Sequence, residues 1–389
     1  MLAGNFMTWN RFSLACLMTL ACACATGSKS LNNGTVEPHE LLEGAPLSRA
    51  QDALDLIESD EVLAVSGEMR QFLDSNVHYK ASGQIKLREL IDAIINEGTF
   101  GLAFDGTTRT AAETFRLRRG NCLSFSNMFV AMARYVGLEA VYQEVDIPPD
   151  WAFQDDVFLL NRHVNVSVDV GRSGPHVVDF NIDDFKSSYD ARTISDTRAL
   201  AHYYNNMGVE RMQAGDTASA LEYFRRALAE NDRRFSPAWT NLGTLYLRND
   251  YPEYAEAAYL LALKADDEDL VAMSNLANFY ERRGDVERAA IYRKQVVNHR
   301  KENPYYRYRR AREAYAAEDY DTAISNLKYA IRKQKNEDQF YFLLGMCYLQ
   351  KGDEGAARRW LARAEAVAAT DALKHRYSSK LELLLSEME

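Results

Sequence analysis

Cys122 stands in the run Arg-Arg-Gly-Asn-Cys-Leu-Ser-Phe-Ser, residues 118–126, directly ahead of a long apolar stretch. Beyond residue 24 only one other thiol occurs, Cys347. A lone cysteine opening a helical pattern, with a histidine and carboxylates downstream, is a candidate nucleophile. His163 follows 41 residues later and Asp179 a further 16 residues on. A thiolate at a helix N-terminus is stabilised by the unpaired amides and the helix dipole. The same amides suit a developing oxyanion. A histidine on a neighbouring strand can take the thiol proton, and a carboxylate one strand further can fix the imidazole tautomer. His176 is a rival base, and Asp169, Asp183 and Asp184 compete with Asp179. Past residue 24 there is no Cys-x-x-Cys and no His-x-x-x-His, and nowhere a Walker-type or Gly-x-Gly-x-x-Gly loop. Neither a metal nor any other cofactor is implied.

Elements must hold these groups in place. The stretch 47–78 is expected to be helical, with Leu54, Ile57, Leu63, Met69 and Phe72 among its apolar positions, and 84–97 forms a second helix. After a turn-rich segment at 98–106, a short helix over 110–117 ends at Gly120. The next helix, 122–136, buries Phe125, Met128, Phe129, Met132 and Tyr135, and Gly137 ends it. Three strands are expected, at 139–147, 157–170 and 176–180. The second alternates Val164, Val166, Val168 and Val170 with His163, Asn165, Ser167 and Asp169. Helices followed by an antiparallel sheet make an α+β domain.

On these residues the segment 84–185 resembles the transglutaminase-like superfamily. That family carries Gly-(Asp/Asn)-Cys at a helix start, then His and Asp on successive strands. Gly120-Asn121-Cys122, His163 and Asp179 in Val-Val-Asp-Phe match the pattern. Two positions depart from it. Many members have Asp before the cysteine, where Asn121 stands, and an aromatic two residues after the histidine, where Asn165 stands. The resemblance implies a thiol-dependent acyl-transfer enzyme with Cys122, His163 and Asp179 as its catalytic residues.

The second half repeats itself. Asn206-Met207-Gly208, Asn241-Leu242-Gly243, Asn275-Leu276-Ala277, Arg310-Ala311 and Leu344-Gly345 align, with unit starts near 201, 236, 270, 304 and 338. Twelve residues after each Gly or Ala comes Ala220, Ala255, Ala289, Ala323 or Ala357. Small residues let antiparallel helices approach closely, and Gly215-Asp216, Gly284-Asp285 and Gly352-Asp353 mark the turns within units. The pattern resembles five tetratricopeptide repeats. Arg211 and Ala314 replace a usual aromatic, and Arg293 replaces a usual large apolar residue. Stacked helix pairs form a superhelix. The resemblance implies that its concave face binds a protein or peptide ligand, with Asn205, Thr240, Asn278 and Arg282 at matching positions. Cys347 reads as a packed structural thiol.

Residues 12–25 form an apolar run too short to cross a bilayer, which needs ~20 residues, but suited to an export signal. Thr19-Leu20-Ala21-Cys22 and Ala21-Cys22-Ala23-Cys24 resemble the end of a bacterial lipoprotein signal, so Cys22 or Cys24 is the expected lipidation site. With no aspartate after either cysteine, the resemblance implies the periplasmic side of the envelope and an outer-membrane anchor.

The expected organisation is a signal at 1–24, a linker at 25–46, a transglutaminase-like domain at 47–190, repeats at 198–371 and a capping helix at 372–389. The formal charge of -10 over 389 residues argues against nucleic acid. Two functions fit: an exported acyl-transfer enzyme, hydrolysis favoured over cross-linking, or an inactive envelope adaptor that works through its repeats.

Overall fold

A computed structural model describes residues 36–47, 56–96, 100–145, 152–154, 157–159, 163–171, 174–180, 191–231 and 233–368, together with 374 and 378. The expected signal with Cys22 and Cys24, the rival carboxylates Asp183 and Asp184, and all but two residues of the expected capping helix lie outside them. No helix among the described residues is long and apolar enough to cross a membrane.

The chain forms a small α+β region followed by an all-helical solenoid. Short helices α1 (Pro38–Glu43), α2 (Ser59–Val62), α3 (Gly67–Asn76) and α4 (Gly83–Ile91) come first, and α4 runs into a π-helical turn, Asp92–Asn96. Strand β1 (Ala103–Phe104) pairs in parallel with β2 (Arg119–Gly120) around α5 (Ala111–Leu117). Thr110 caps α5 in a reciprocal box with Glu113. Next comes α6 (Cys122–Tyr135), capped by Asn121, whose side chain accepts from the Ser124 amide. Gly137, at φ +79°, turns the chain out of this helix.

The main sheet is antiparallel, in the order β7 (Pro175–Val178), β6 (His163–Asp169), β3 (Glu139–Val145), β8 (Ala191–Ile194). A separate hairpin, β4 (Ala152–Gln154) and β5 (Val157–Leu159), leaves the sheet between β3 and β6 and lies against the solenoid helix Leu270–Arg282. The single run expected at 157–170 is therefore two strands. Its alternation also misleads about burial: His163, Asn165 and Ser167 are as enclosed as the valines between them. Similarly, α6 is buried all round from Leu123 to Ala133, whereas Tyr135 is exposed.

Among the described residues five helix pairs build the solenoid: α7 (Asp196–Gln213) with α8 (Thr217–Glu230), α9 (Ser236–Arg248) with α10 (Pro252–Ala265), α11 (Leu270–Arg282) with α12 (Val286–Glu302), α13 (Pro304–Ala316) with α14 (Tyr320–Lys333), and α15 (Asp338–Gln350) with α16 (Glu354–Val367). The small residues act as their spacing requires. A Cβ on Gly208 would meet the Phe224 ring, on Gly243 the Tyr259 ring, and on Gly345 the Leu361 side chain. The turn position within each pair is left-handed in all five units, at Gly215, Asp250, Gly284, Glu318 and Gly352. Two of these places carry a residue with a Cβ, a conformation that glycine adopts without penalty.

Three expectations shift. The domain boundary at 190 cuts the sheet, because β8 lies beyond it and pairs with β3. Residues 36–46, expected as a tether, hold a docked helix. Leu41 of α1 is fully buried, its carbonyl accepts from the Tyr246 hydroxyl at 2.6 Å, and Arg225 donates to the carbonyls of Leu42 and Glu43. The solenoid core is also interrupted. One apolar cluster joins the α+β region to the first three repeats, and a second begins at Ala311 in the fourth. Arg310 stands where the other units place Met207, Leu242, Leu276 and Leu344, so it cannot close the gap. Helix α12 runs to 17 residues against 14 in each of the other second helices, leaving Asn303 alone between repeats three and four.

Two substitutions in the repeats have opposite signs. Gly243→Ala forces a methyl into the buried Tyr259 ring and is expected to destabilise by ~1–3 kcal/mol. Glu318→Gly relieves a left-handed residue and is expected to stabilise by ~0.5–1 kcal/mol. Urea midpoints at fixed slope measure both.

Candidate active site

The site is assembled where the start of α6 meets β6 and the end of β7. Gly120 permits the close turn into α6, since a Cβ there would fall 2.6 Å from the Ser124 side chain. Asn121 caps the helix and donates to the Thr108 hydroxyl at 2.8 Å. The Ser124 hydroxyl accepts from the Arg109 amide at 2.9 Å. The 105–110 loop is thus tied to the helix start, and Cys122 takes the first helical position with its thiol half-buried. The opening amides of a helix have no partner within it.

His163 opens β6 and is hydrogen-bonded to one of the expected partners. Its Nε2 lies 2.6 Å from Asp179 Oδ2, and Cys122 is near enough to act on the charge of its ring. With Nε2 turned to the carboxylate, the Nδ1 edge is the one left for sulfur. Burial alone would lower the imidazole pKa, but the hydrogen bond and charge of Asp179, with Cys122 beside the ring, overcome it and raise it to about 9. At neutral pH the ring is an imidazolium that donates on both edges. Asp179 is delivered by the end of β7, and Phe180 beside it packs on Phe125 and Phe129 of α6, at ring distances of 5.4 and 6.0 Å. Cys122, His163 and Asp179 are therefore brought together.

The rivals are not. His176 is exposed on β7 opposite Val168, and Asp169 is exposed and accepts from the Gly171 amide. Among the described residues no group of three or more His, Cys, Asp or Glu is placed to hold a metal. Cys347 is fully buried, and burial pushes its thiol up to about 11.

Two further residues belong to the site. Asn165, two positions along β6 and so on the His163 face, donates to the same Asp179 oxygen at 2.9 Å. Its Oδ1 is buried without a partner, which marks it as placed for the carboxylate rather than for packing. The sequence signal was the period of two itself. Glu210 of α7, the first solenoid helix, accepts from the Thr108 amide at 2.7 Å. It thereby braces the loop that holds Asn121. No local sequence pattern announces a contact across 102 residues.

The four positions expected to bind a partner divide into two pairs. Asn205 and Asn241 hydrogen-bond at 2.9 Å, and Thr240 donates to Asp269 at 3.2 Å; both Asn205 and Thr240 are buried in these inter-helix bonds. Asn278 and Arg282 instead line a recess of about 180 Å³ between repeats two and three, floored by Leu247, Tyr259 and Phe279.

Comparison with known proteins agrees with both halves. A family model for the transglutaminase-like superfamily matches residues 73–174, and one for the tetratricopeptide repeat matches 205–269 and 308–372. The chain is 23% identical over 159 residues to anaphase-promoting complex subunit 3 of Schizosaccharomyces pombe, a stretch covering 41% of this chain and 24% of that protein. The chain thus spans about a quarter of that relative's length. Similar solved structures include MamA (17% identity, 43% of this chain and 91% of that one, TM-score 0.24). YrrB, a tetratricopeptide-repeat protein with an unusual peptide-binding site, is 17% identical over 46% of this chain and 92% of its own, at TM-score 0.24. BtubC from P. vanneervenii is 20% identical over 44% and 81%, at TM-score 0.26.

The imidazole titration is directly measurable. By NMR His163 is expected to titrate near pH 9, Asp179→Asn to bring it down toward the ordinary histidine range, and Asn165→Ala to lower it less. The folded value lies above the unfolded one of about 6.5. The stability that the pair contributes is therefore fully present below about pH 6.5 and lost as pH rises through about 9. A denaturation series from pH 6 to 10 should show that loss in the wild type and not in Asp179→Asn.

Proposed function

We propose that this chain, a transglutaminase-like domain followed by tetratricopeptide repeats, is a thiol-dependent acyl-transfer enzyme that hydrolyses an amide or peptide bond. The observation that carries this reading is the His163–Asp179 hydrogen bond gathered beside Cys122 at the start of α6. An imidazolium beside a half-buried sulfur is the arrangement that activates cysteine as a nucleophile.

The chemistry follows from the placement. Cys122 sulfur attacks the substrate carbonyl carbon, and the first amides of α6 receive the charge that develops on oxygen. His163 gives its Nδ1 proton to the departing amine as the C–N bond breaks, which leaves a thioester on Cys122. His163, now neutral, takes a proton from water, the hydroxide adds to the thioester, and Cys122 leaves with the carboxylic acid product formed. An amine in place of water would give cross-linking. Asp179 keeps Nε2 protonated throughout, so Nδ1 is the atom that cycles.

The repeats serve to bind the protein substrate or a protein partner. The recess at Asn278 and Arg282 is a place for one peptide side chain, and the β4–β5 hairpin, which leads into His163, lies against the same helix α11. The apolar run at 12–25 supports export, with lipid attached at Cys22 or Cys24 and the protein held on the periplasmic side of the outer membrane.

Thiol labelling tests the enzyme reading. A small electrophile is expected to modify Cys122 at least ~100-fold faster than Cys347, and His163→Ala to slow Cys122 by ~10²-fold or more. Equal rates for the two thiols, or no effect of His163→Ala, would leave the adaptor function. For the anchor, intact mass in a host with two membranes should show added lipid that is lost on replacing Cys22 or Cys24 with Ser.

A further inference from the structure

Helix α1 shows how this repeat array grips a short acidic helix. Within 36–47 it presents Glu37, Glu40 and Glu43 with the paired Leu41 and Leu42, and ends at Gly44 in the left-handed conformation. The last carbonyls of a helix lack partners and carry its negative dipole end. Here the Tyr246 hydroxyl takes the Leu41 carbonyl, and the Arg225 guanidinium takes those of Leu42 and Glu43. Leu221 packs so close to Gly44 that a Cβ there would collide with it. Three side chains make the seat: Leu221 and Arg225 one turn apart on the second helix of repeat one, and Tyr246 on the first helix of repeat two.

The repeat spacing carries these positions to the other joints. Between repeats two and three they become Glu256, Leu260 and Tyr280. There an acid replaces the apolar residue and takes the tyrosine hydroxyl at 2.6 Å, and no cation is present at the Arg225 position. Between repeats three and four they become Ala290, Lys294 and Ala314, with no hydroxyl. Between repeats four and five they become Ile324, Lys328 and Tyr348. An apolar residue, a cation and a tyrosine recur together there alone. The Lys328 ammonium lies 5.6 Å from the centre of the Tyr348 ring, and its side chain is exposed. Arg332, one turn further along α14, is exposed as well.

We propose that Ile324, Lys328 and Tyr348 form a second seat of the α1 kind, which docks an acidic, leucine-paired, glycine-ended helix of a partner protein. Lys328 and the Tyr348 hydroxyl take its final carbonyls, Ile324, only 8% exposed, offers its remaining surface to the terminal glycine, and Arg332 complements its glutamates. A lysine ammonium offers three donors without the planar fork of arginine, so this seat holds its ligand more weakly than Arg225 holds α1. Weak holding suits a partner that comes and goes. Two other occupants share the chemistry: α1 of a second copy, and the chain's own Glu382-Leu383-Leu384, which repeats the order Glu40-Leu41-Leu42.

The test uses the full chain and a labelled synthetic peptide with the sequence of residues 36–47, read by fluorescence anisotropy. Saturable one-to-one binding is expected. It should weaken at least about tenfold in Lys328→Ala, be abolished in Lys328→Glu and tighten in Lys328→Arg. Circular dichroism confirms that these exposed-site variants fold. Absence of binding to wild type, or undiminished binding to Lys328→Glu, overturns the proposal. Tighter binding to a Leu383→Asp, Leu384→Asp variant than to wild type would assign the seat to the chain's own terminus. A wild-type dimer that the peptide dissociates and Lys328→Glu cannot form would assign it to a second copy. Either result overturns the partner assignment.

Discussion

A carboxylate buried in the middle of the sheet sets the architecture. Glu144, on β3 and 3% exposed, is met by partners that its own strand cannot provide: Arg192 from β8, and Arg198 and His202 from α7. Burial alone would raise its carboxyl, but the hydrogen bonds and charges of His202 and Arg198 hold it well below the ordinary carboxylate range. An isolated buried charge costs several kcal/mol. Within the sheet only Arg192 of β8 answers Glu144, and the first repeat packed against it supplies the other two partners. Val145, the next residue, is the strand partner of His163. The pairing that places the His163 imidazole thus sits one position from the bond that fastens the two halves together.

A second fastening acts at the other end of the site. Glu210 reaches from the same helix α7 to the Thr108 amide, and Thr108 in turn holds the cap of α6. The helix start that carries Cys122 and the strand that pairs with β6 are thus both braced by α7. The boundary that composition suggests near residue 190 is therefore not a boundary in the folded molecule. One apolar cluster runs unbroken from the α+β region through the third repeat, and the natural division falls between repeats three and four, where α12 absorbs the connecting loop.

Sequence reading succeeded where a position is decided by local chemistry or by a period. Gly120, Asn121 and Cys122 declare a capped helix start, and small residues every 34 or 35 positions declare the stacked pairs. The three catalytic candidates were legible because order along the chain reflects neighbouring strands. Reading failed where a tertiary neighbour decides the outcome. Asn165 looked like a gap left by a missing aromatic, yet Asp179 makes it a hydrogen-bond donor. Asn205 and Thr240 looked like a presented surface, yet adjoining helices engage both. Residues 36–46 read as part of a tether because Gly, Ser, Asn and Pro are frequent over 25–46; Tyr246, which binds the Leu41 carbonyl, and Arg225, which binds those of Leu42 and Glu43, lie about 200 residues away. That distance defeats any window-based inference.

The docking of α1 also fixes a length. From Cys24 to Val36 the chain advances 12 residues, which fully stretched span at most about 40 Å. If Cys24 carries the lipid proposed above, the folded chain would be held through Leu41, on repeats one and two, within that span of the membrane. The number of residues ahead of α1 would then set how far above the surface the molecule reaches.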